Sequence, residues 1–352
     1  MTVYVMDGLS GIIGMVETFQ SSIFNLQFYG PDDFQLIVPG TPENILLLAE
    51  DRYLVRDQDI SGNTYRNVMR IQRTELAYDS EKGYLLTLSG GGLKTILGQR
   101  IIWNQETFND TVENVVRQIV TDNVISPSVS ARAVPDFVLD SAGGYEDTIE
   151  TQVFGENISE WLQSIGQTYH YGHEVYISGG KYHFRLYQGT DRTEDQMDVM
   201  PIIFSPGFDN VRSATYTVDR TLFKNAALVG GEGEGTDQRT ASVGTAAGMA
   251  RKEMYVDGSG VSSNGEIITE STYTKLLKQY GKEQLAAVQT SESFEAEIYD
   301  GLYQMGRDYF LGDLVSVEND MGITGSARLT GIIESIDESG PVRTATFEEW
   351  EV

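Results

Sequence analysis

The run Arg328 to Phe347, RLTGIIESIDESGPVRTATF, constrains the fold more than any other stretch. Ile332, Glu334 and Ile336 alternate with Ile333, Ser335 and Asp337, the chain turns at Ser339-Gly340-Pro341, and Thr344 and Thr346 then alternate with Ala345 and Phe347. A period of two marks a pleated strand with two unlike faces. Just upstream, Tyr303 to Val317, YQMGRDYFLGDLVSV, predicts one strand, a turn at Gly312-Asp313, and a second strand loaded with Leu314, Val315 and Val317. Short strands joined by Gly-Asp and Gly-Pro turns build small antiparallel barrels or sandwiches.

The other end of the chain repeats the theme. Val3–Met6, Phe24–Tyr29 and Phe34–Val38 read as strands, the last closed by the turn Pro39-Gly40-Thr41-Pro42. Ile45–Ala49, a continuous apolar run, predicts a buried strand, and Asp57–Asn63 a polar loop. Val68–Tyr78 and Tyr84–Ser89 form a predicted hairpin, after which Gly90-Gly91-Gly92 is expected to break the ladder.

The middle turns helical. Asn104–Asn123 sets Phe108, Val112, Val115, Val116, Ile119 and Val120 at helical spacing, with Asn104 or Thr107 as N-cap. Asn157–Tyr169 does the same with Ile158, Trp161, Leu162 and Ile165, and Asn157 with Glu160 imitates a capping box. Glu174–Ser178 and Lys181–Tyr187 predict a hairpin around Gly179-Gly180, and Asp191–Asp198 an exit linker. From about residue 202 the chain returns to strands at Ala214–Val218, Asn225–Gly230, Arg251–Val256 and Phe294–Tyr299. A helix over 272–288, interrupted by Gly281, lies among them. The expected fold is α+β and mainly β: a β-domain over 1–103, a small α+β insert over 104–200, and a second β-domain over 201–352. Similar counts of short strands in the two β-regions permit a pseudo-repeat, without clear internal identity.

Length fits two or three domains, since a chain of 352 residues outgrows a single core. Without cysteines there are no disulfides, thiolate metal sites or cysteine nucleophiles. The start, MTVYVMDGLSGIIGMVETF, has no basic n-region and predicts no secretory signal. No apolar run approaches the roughly 20 residues of a membrane helix, so no membrane insertion is expected. A net charge of −27 repels nucleic acid and anionic lipid. Such a surface serves solubility, or lets DNA slide past without sticking.

Candidate chemistry is thin. His170 and His173 in YHYGHEV invite a zinc reading. The helical zinc pair, however, sits four residues apart on one face with a Glu between; here the spacing is three, Gly172 intervenes, and the two are expected on opposite faces of a strand. His183 is the third histidine. The loop Gly230–Gly235 is acidic with no helix behind it, which predicts a flexible connection rather than a phosphate cradle. Asp257–Glu266 has calcium-type oxygens, but Gly258 and Val261 break the alternation, so a hairpin tip is expected. There is no Gly-x-Ser-x-Gly elbow. No catalytic, metal or cofactor residue is nominated.

The order Gly306-Arg307-Asp308-Tyr309, Leu311-Gly312-Asp313-x-Val315, Arg328-x-Thr330-x-Ile332 and Ser339-Gly340-Pro341 resembles the C-terminal barrel of phage tail hub proteins. These are the tail-associated or baseplate-hub subunits of siphophages, contractile phages and prophage-like particles. Thr87–Leu97, TLSGGGLKTIL, and Arg220–Gly235, RTLFKNAALVGGEGEG, are similar to the same family. The resemblance implies a virion protein of the tail tip, assembled in the host cytoplasm, without enzyme activity or cofactor. It implies a homotrimeric ring of two tube-like barrels per chain that adapts a six-fold tube to a three-fold tip and passes DNA. Its implied partners are the tail tube or distal tail protein, the tape measure protein, and spike or receptor-binding proteins. Some relatives carry a peptidoglycan hydrolase beyond the hub; with Val352 just after the barrel, that addition is not expected. The rival readings are a tail-tip cell-wall or glycan hydrolase and a carbohydrate-binding module.

Overall fold

A computed structural model describes residues 1–352 except 266, 289–290, 300, 320, 322–323 and 352. The chain opens with β1 (Val3–Met6), β2 (Ile12–Val16), β3 (Ser21–Gln27) and β4 (Asp33–Pro39), then α1 (Pro42–Leu47) and β5 (Tyr53–Arg56). Two short strands, β6 (Ile60–Ser61) and β7 (Thr64–Tyr65), precede the long hairpin β8 (Met69–Asp79) and β9 (Gly83–Gly92). The middle holds β10 (Glu106–Thr111), α2 (Val112–Val120), β11 (Phe137–Leu139), β12 (Thr148–Val153), α3 (Ile158–Tyr169), β13 (Gly172–Ser178) and β14 (Lys181–Tyr187). After β15 (Asp191–Arg192) and β16 (Ile203–Phe204) come β17 (Val211–Asp219), β18 (Ala226–Gly230), β19 (Thr240–Val243), β20 (Glu253–Asp257) and α4 (Glu270–Ala286). The chain closes with β21 (Ser291–Ile298), β22 (Leu314–Glu318), β23 (Thr324–Asp337) and β24 (Gly340–Glu351).

The fold is α+β and mainly β. Its main sheet runs β17-β21-β24-β23-β3-β4-β9-β8-β5-β1-β2, so strands from both chain ends share one ladder. The seam is β23 against β3, antiparallel from Gly331↔Gln27 to Ile336↔Ser22. Among the described residues this path has two ends and does not close into a barrel within the chain. Separate apolar clusters lie under the two halves: Phe24, Leu36, Leu54 and Leu88 at one end, and Phe204, Phe294, Leu329 and Phe347 at the other. A third gathers α2 and α3 with Met6, Val55 and Phe184, and a fourth packs α4 on β18 and β20 through Tyr273, Leu277 and Val229.

Each half of the sheet contains the same four-strand pattern. In β3-β4-β9-β8 and in β17-β21-β24-β23, spatial order is first, second, fourth, third along the chain, all antiparallel. The third strand of each is bulged, at Ile71/Arg73 and at Leu329/Gly331. Seven pairs then run to the hairpin end in both, Arg73↔Ser89 to Asp79↔Gly83 and Gly331↔Thr346 to Asp337↔Gly340. Each hairpin ends on an Asp that caps its turn: Asp79 Oδ1 accepts from the Glu81 and Lys82 amides, Asp337 Oδ1 from the Ser339 amide. Phe34 and Phe294 occupy matching buried positions of the second strands.

Several local expectations are corrected. Ile45–Ala49 is no buried strand: Thr41 Oγ1 caps Asn44 N at 3.2 Å, Pro42 starts α1, and Leu46 is 80% exposed. Residues 106–111 pair with β12 instead of opening a helix, so α2 is capped by Thr111, not by Asn104 or Thr107. The triple glycine continues β9 rather than breaking it. A Cβ at Gly90 would come within 2.0 Å of Arg70 O beside the bulge, so glycine is what the tight ladder requires. Gly281 does not interrupt α4; a Cβ there would meet Val229 Cγ2 at 2.6 Å, so it lets helix and sheet approach. Residues 303–313 form turns in place of the expected strand. Buried Asp313 organises them, accepting from Thr190 N at 2.7 Å, Arg192 Nε at 2.7 Å and Phe310 N at 2.9 Å. The expected exit linker supplies β15, parallel to β22.

Candidate functional site

The histidines do not meet. His170 ends α3 in the left-handed region (φ 60°), so it shares no strand with His173, against the expectation of opposite strand faces. His183 Nδ1 lies 2.8 Å from Asp140 Oδ1. His173 is buried on β13, where desolvation, with Lys94 adding to it, pushes its pKa down to about 3 and keeps the ring neutral. Among the described residues no three His, Asp or Glu side chains gather to hold a metal. The Gly230–Gly235 loop is anchored, not free: Glu232 accepts from Ser263 N at 2.7 Å and Ser263 Oγ at 2.6 Å and pairs with Arg239 at 3.1 Å. Those bonds tie it to the Asp257–Gly265 loop, whose Glu266 lies outside the described residues.

Sequence reasoning nominated none of the residues that join the parts of the molecule. Where the last β-region meets the first and the middle, a cleft of about 610 Å³ is walled by charge. Arg56, at the end of β5 and 1% exposed, donates through Nε to Asp59 and through Nη1 to Glu334 of β23, and Arg343 of β24 closes on the same Glu334. Burial by itself would raise Glu334, but Arg56 and Arg343 hold it below the usual carboxylate value. Nearby, Lys94 Nζ pairs with Asp32 at 3.0 Å, and Arg66 and Arg185 converge on Glu174. Each of these cations already contacts a carboxylate, so the cleft serves as a clamp: Glu334 ties β23 to β5 and β24, and Glu174 ties β13 to Arg66 and to β14. The available signal was Glu334 itself, a charge at the apolar positions of Ile332 and Ile336.

The second feature is the two-faced sheet. Directly paired residues share a face. One face of the eight strands from β17 to β8 carries Phe294, Phe347, Ile332, Leu26, Phe34 and Leu88, all buried. The opposite face runs through Thr215↔Glu295↔Thr346, Glu297↔Thr344↔Ile333↔Asn25↔Asp33, and Gln35↔Ser89↔Arg73. Asp33, Glu75 and Glu295 stand exposed on it. The sheet is therefore continuous across both repeats, apolar beneath and polar with carboxylates above.

No described helix is long and apolar enough to cross a membrane. No curated protein matches the chain. Among solved structures it is similar to a tail protein from Neisseria meningitidis MC58, with TM-score 0.60 and 13% identity over 99% of this chain and 96% of that one. The 43 kDa tail protein of prophage MuSo2 from Shewanella oneidensis gives TM-score 0.60 and 12% identity over 99% and 98%. A chain of the Francisella PdpA-VgrG complex gives TM-score 0.51 and 9% identity over 99% and 57%. At these identities the likeness is one of fold. The family model described as Siphovirus ReqiPepy6 Gp37-like protein matches residues 2–347. The chain belongs to the Siphovirus ReqiPepy6 Gp37-like protein family.

Proposed function

We propose that three copies of this tail protein form a ring at the distal end of a phage tail, each copy presenting two equivalent β-units so that three subunits match a six-fold tube. The observation that carries this reading is the repeated four-strand pattern, with matching bulges and hairpin ends, fused through β23 and β3 into one sheet. Two like units per chain turn a three-fold assembly into six similar positions. The polar face, with Asp33, Glu75, Glu295 and Glu297, lines the bore, where fixed negative charge keeps passing DNA from adhering. Those residues come from both repeats, which is what a pseudo-six-fold lining requires. The units correspond to 1–103 and 201–352, and the insert over 104–200 faces the tip, towards a spike or the ring's neighbours. The tail tube or distal tail protein, the tape measure protein and a spike are the neighbours. The likeness to a chain of a PdpA-VgrG complex supports the last of these.

Native mass measurement and electron microscopy test the reading. The expected particle has a mass of about 117 kDa (3 × 39.0 kDa) and end-on views with six similar lobes around a pore. A dimer, or a trimer whose end-on views show three unlike lobes only, overturns it.

A further inference from the structure

We infer that the subunits join edge to edge through β8 of one copy and β17 of the next, in a register that the chain already displays inside itself. This rests on the ring reading and specifies its interface. The internal seam pairs the third strand of the second repeat, β23, with the first strand of the first repeat, β3. The equivalent strands at the outer limits of the eight-strand sheet are β8 and β17. β17 pairs with β21 alone, and beyond its bulge β8 pairs with β9 alone among the described residues. Strand edges with free amides and carbonyls are templates for pairing with another chain.

The repeats give the register residue by residue. The matching bulges set Gly331 equivalent to Arg73, and the pairing through β24 and β21 sets Gln27 equivalent to Asp219. Carrying the internal pairs Gly331↔Gln27, Ile332↔Leu26, Ile333↔Asn25 and Ile336↔Ser22 across places four pairs at the new junction. They are Arg73 opposite Asp219, Thr74 opposite Val218, Glu75 opposite Thr217, and Tyr78 opposite Ala214. Two independent features agree with this register. On the polar face it opposes a cation to a carboxylate, both now exposed, with Arg73 resting on Glu75. On the other face it covers Leu76 (49% exposed), Tyr78 (68%) and Val218 (44%), extending the buried layer as Ile332 and Leu26 do at the internal seam. A one-residue slip would set the polar face of one copy level with the apolar face of the next, because β9 and β21 already fix which way the side chains of β8 and β17 point.

The absence of cysteine makes the test direct. At the internal seam Phe28 N donates to Thr330 O at 2.8 Å, so alternate pairs from Gln27↔Gly331 are of the non-hydrogen-bonded kind, with Cα atoms about 4.5 Å apart. That spacing suits a disulfide. A chain carrying Glu75→Cys and Thr217→Cys, treated with oxidised glutathione, should cross-link into covalent trimers on a non-reducing gel. The out-of-register pair Glu75→Cys with Thr215→Cys should cross-link far less. Arg73→Glu should weaken trimer formation roughly tenfold, and adding Asp219→Arg should restore it. A trimer of wild-type mass without the in-register cross-link, or with equal cross-linking out of register, overturns the junction and leaves the ring standing. A wild-type chain that never forms a trimer removes both.

Discussion

The substitution Glu283→Gln probes a buried carboxyl between α3 and α4. Glu283 is 5% exposed and accepts from Gln279 Nε2 at 2.8 Å, while Tyr169 Oη from α3 reaches Gln279 Oε1 at 3.4 Å. Burial, with a further push from Glu156, raises Glu283 to about 8, and burial raises Glu156 to about 7; Tyr169 and Tyr280 are the other titratable groups beside them. The ordinary value is 4.5. Between that pH and about 8 the folded chain keeps a proton that the unfolded chain has released, so stability falls as pH rises through this window. At 1.36 kcal/mol per tenfold the full effect is about 5 kcal/mol, and relaxation and water entry in real interiors reduce it to about 2 kcal/mol. Glutamine keeps the acceptor for Gln279 and cannot ionise. Urea unfolding followed by tryptophan fluorescence should show a gain of about 2 kcal/mol at pH 8.5 that shrinks toward zero near pH 5. A gain independent of pH, or a loss at pH 8.5, would refute the reasoning.

Other outcomes follow from the clamp and the seams. Arg56→Met should cost about 3 kcal/mol in urea unfolding, because Asp59 and Glu334 lose their shared cation; a cost under about 1 kcal/mol would show that the clamp does not hold the seam. With Glu334 held below its ordinary value, wild type should lose stability as pH falls through the folded value below 4.5, and Glu334→Gln should flatten that acid limb. Gly189→Ala should destabilise by about 2 kcal/mol, since its Cβ would lie 1.7 Å from Gly312 O and a backbone must move; an unchanged melting temperature would count against this packing.

Features governed by near neighbours were legible in the sequence. Asn157 accepts from the Ser159 and Glu160 amides and starts α3 where its spacing predicts, and the 172–187 hairpin turns at Gly179-Gly180 as read. The closing hairpin, from the alternation of Ile332 to Asp337 through Ser339-Gly340, also formed as expected. Caps, tight turns and period-two patterns act over a few residues, so they stand in the sequence in plain view. Where the reading failed, the deciding partner was distant. Residues 106–111 became a strand because β12 lies about forty residues on, and 303–313 became turns because Asp313 answers to Thr190 and Arg192.

The sequence by itself determined an acidic, mainly β chain with short strands at both ends, helices between, and no thiol chemistry. Only the tertiary structure decided that β3 and β23, some three hundred residues apart, share a seam, and that Glu334 is buried against Arg56. Strand propensity specifies a pleated edge but not which edge it will meet. That choice falls to whichever register buries one face and matches the charges, and it is settled only when the whole chain is folded.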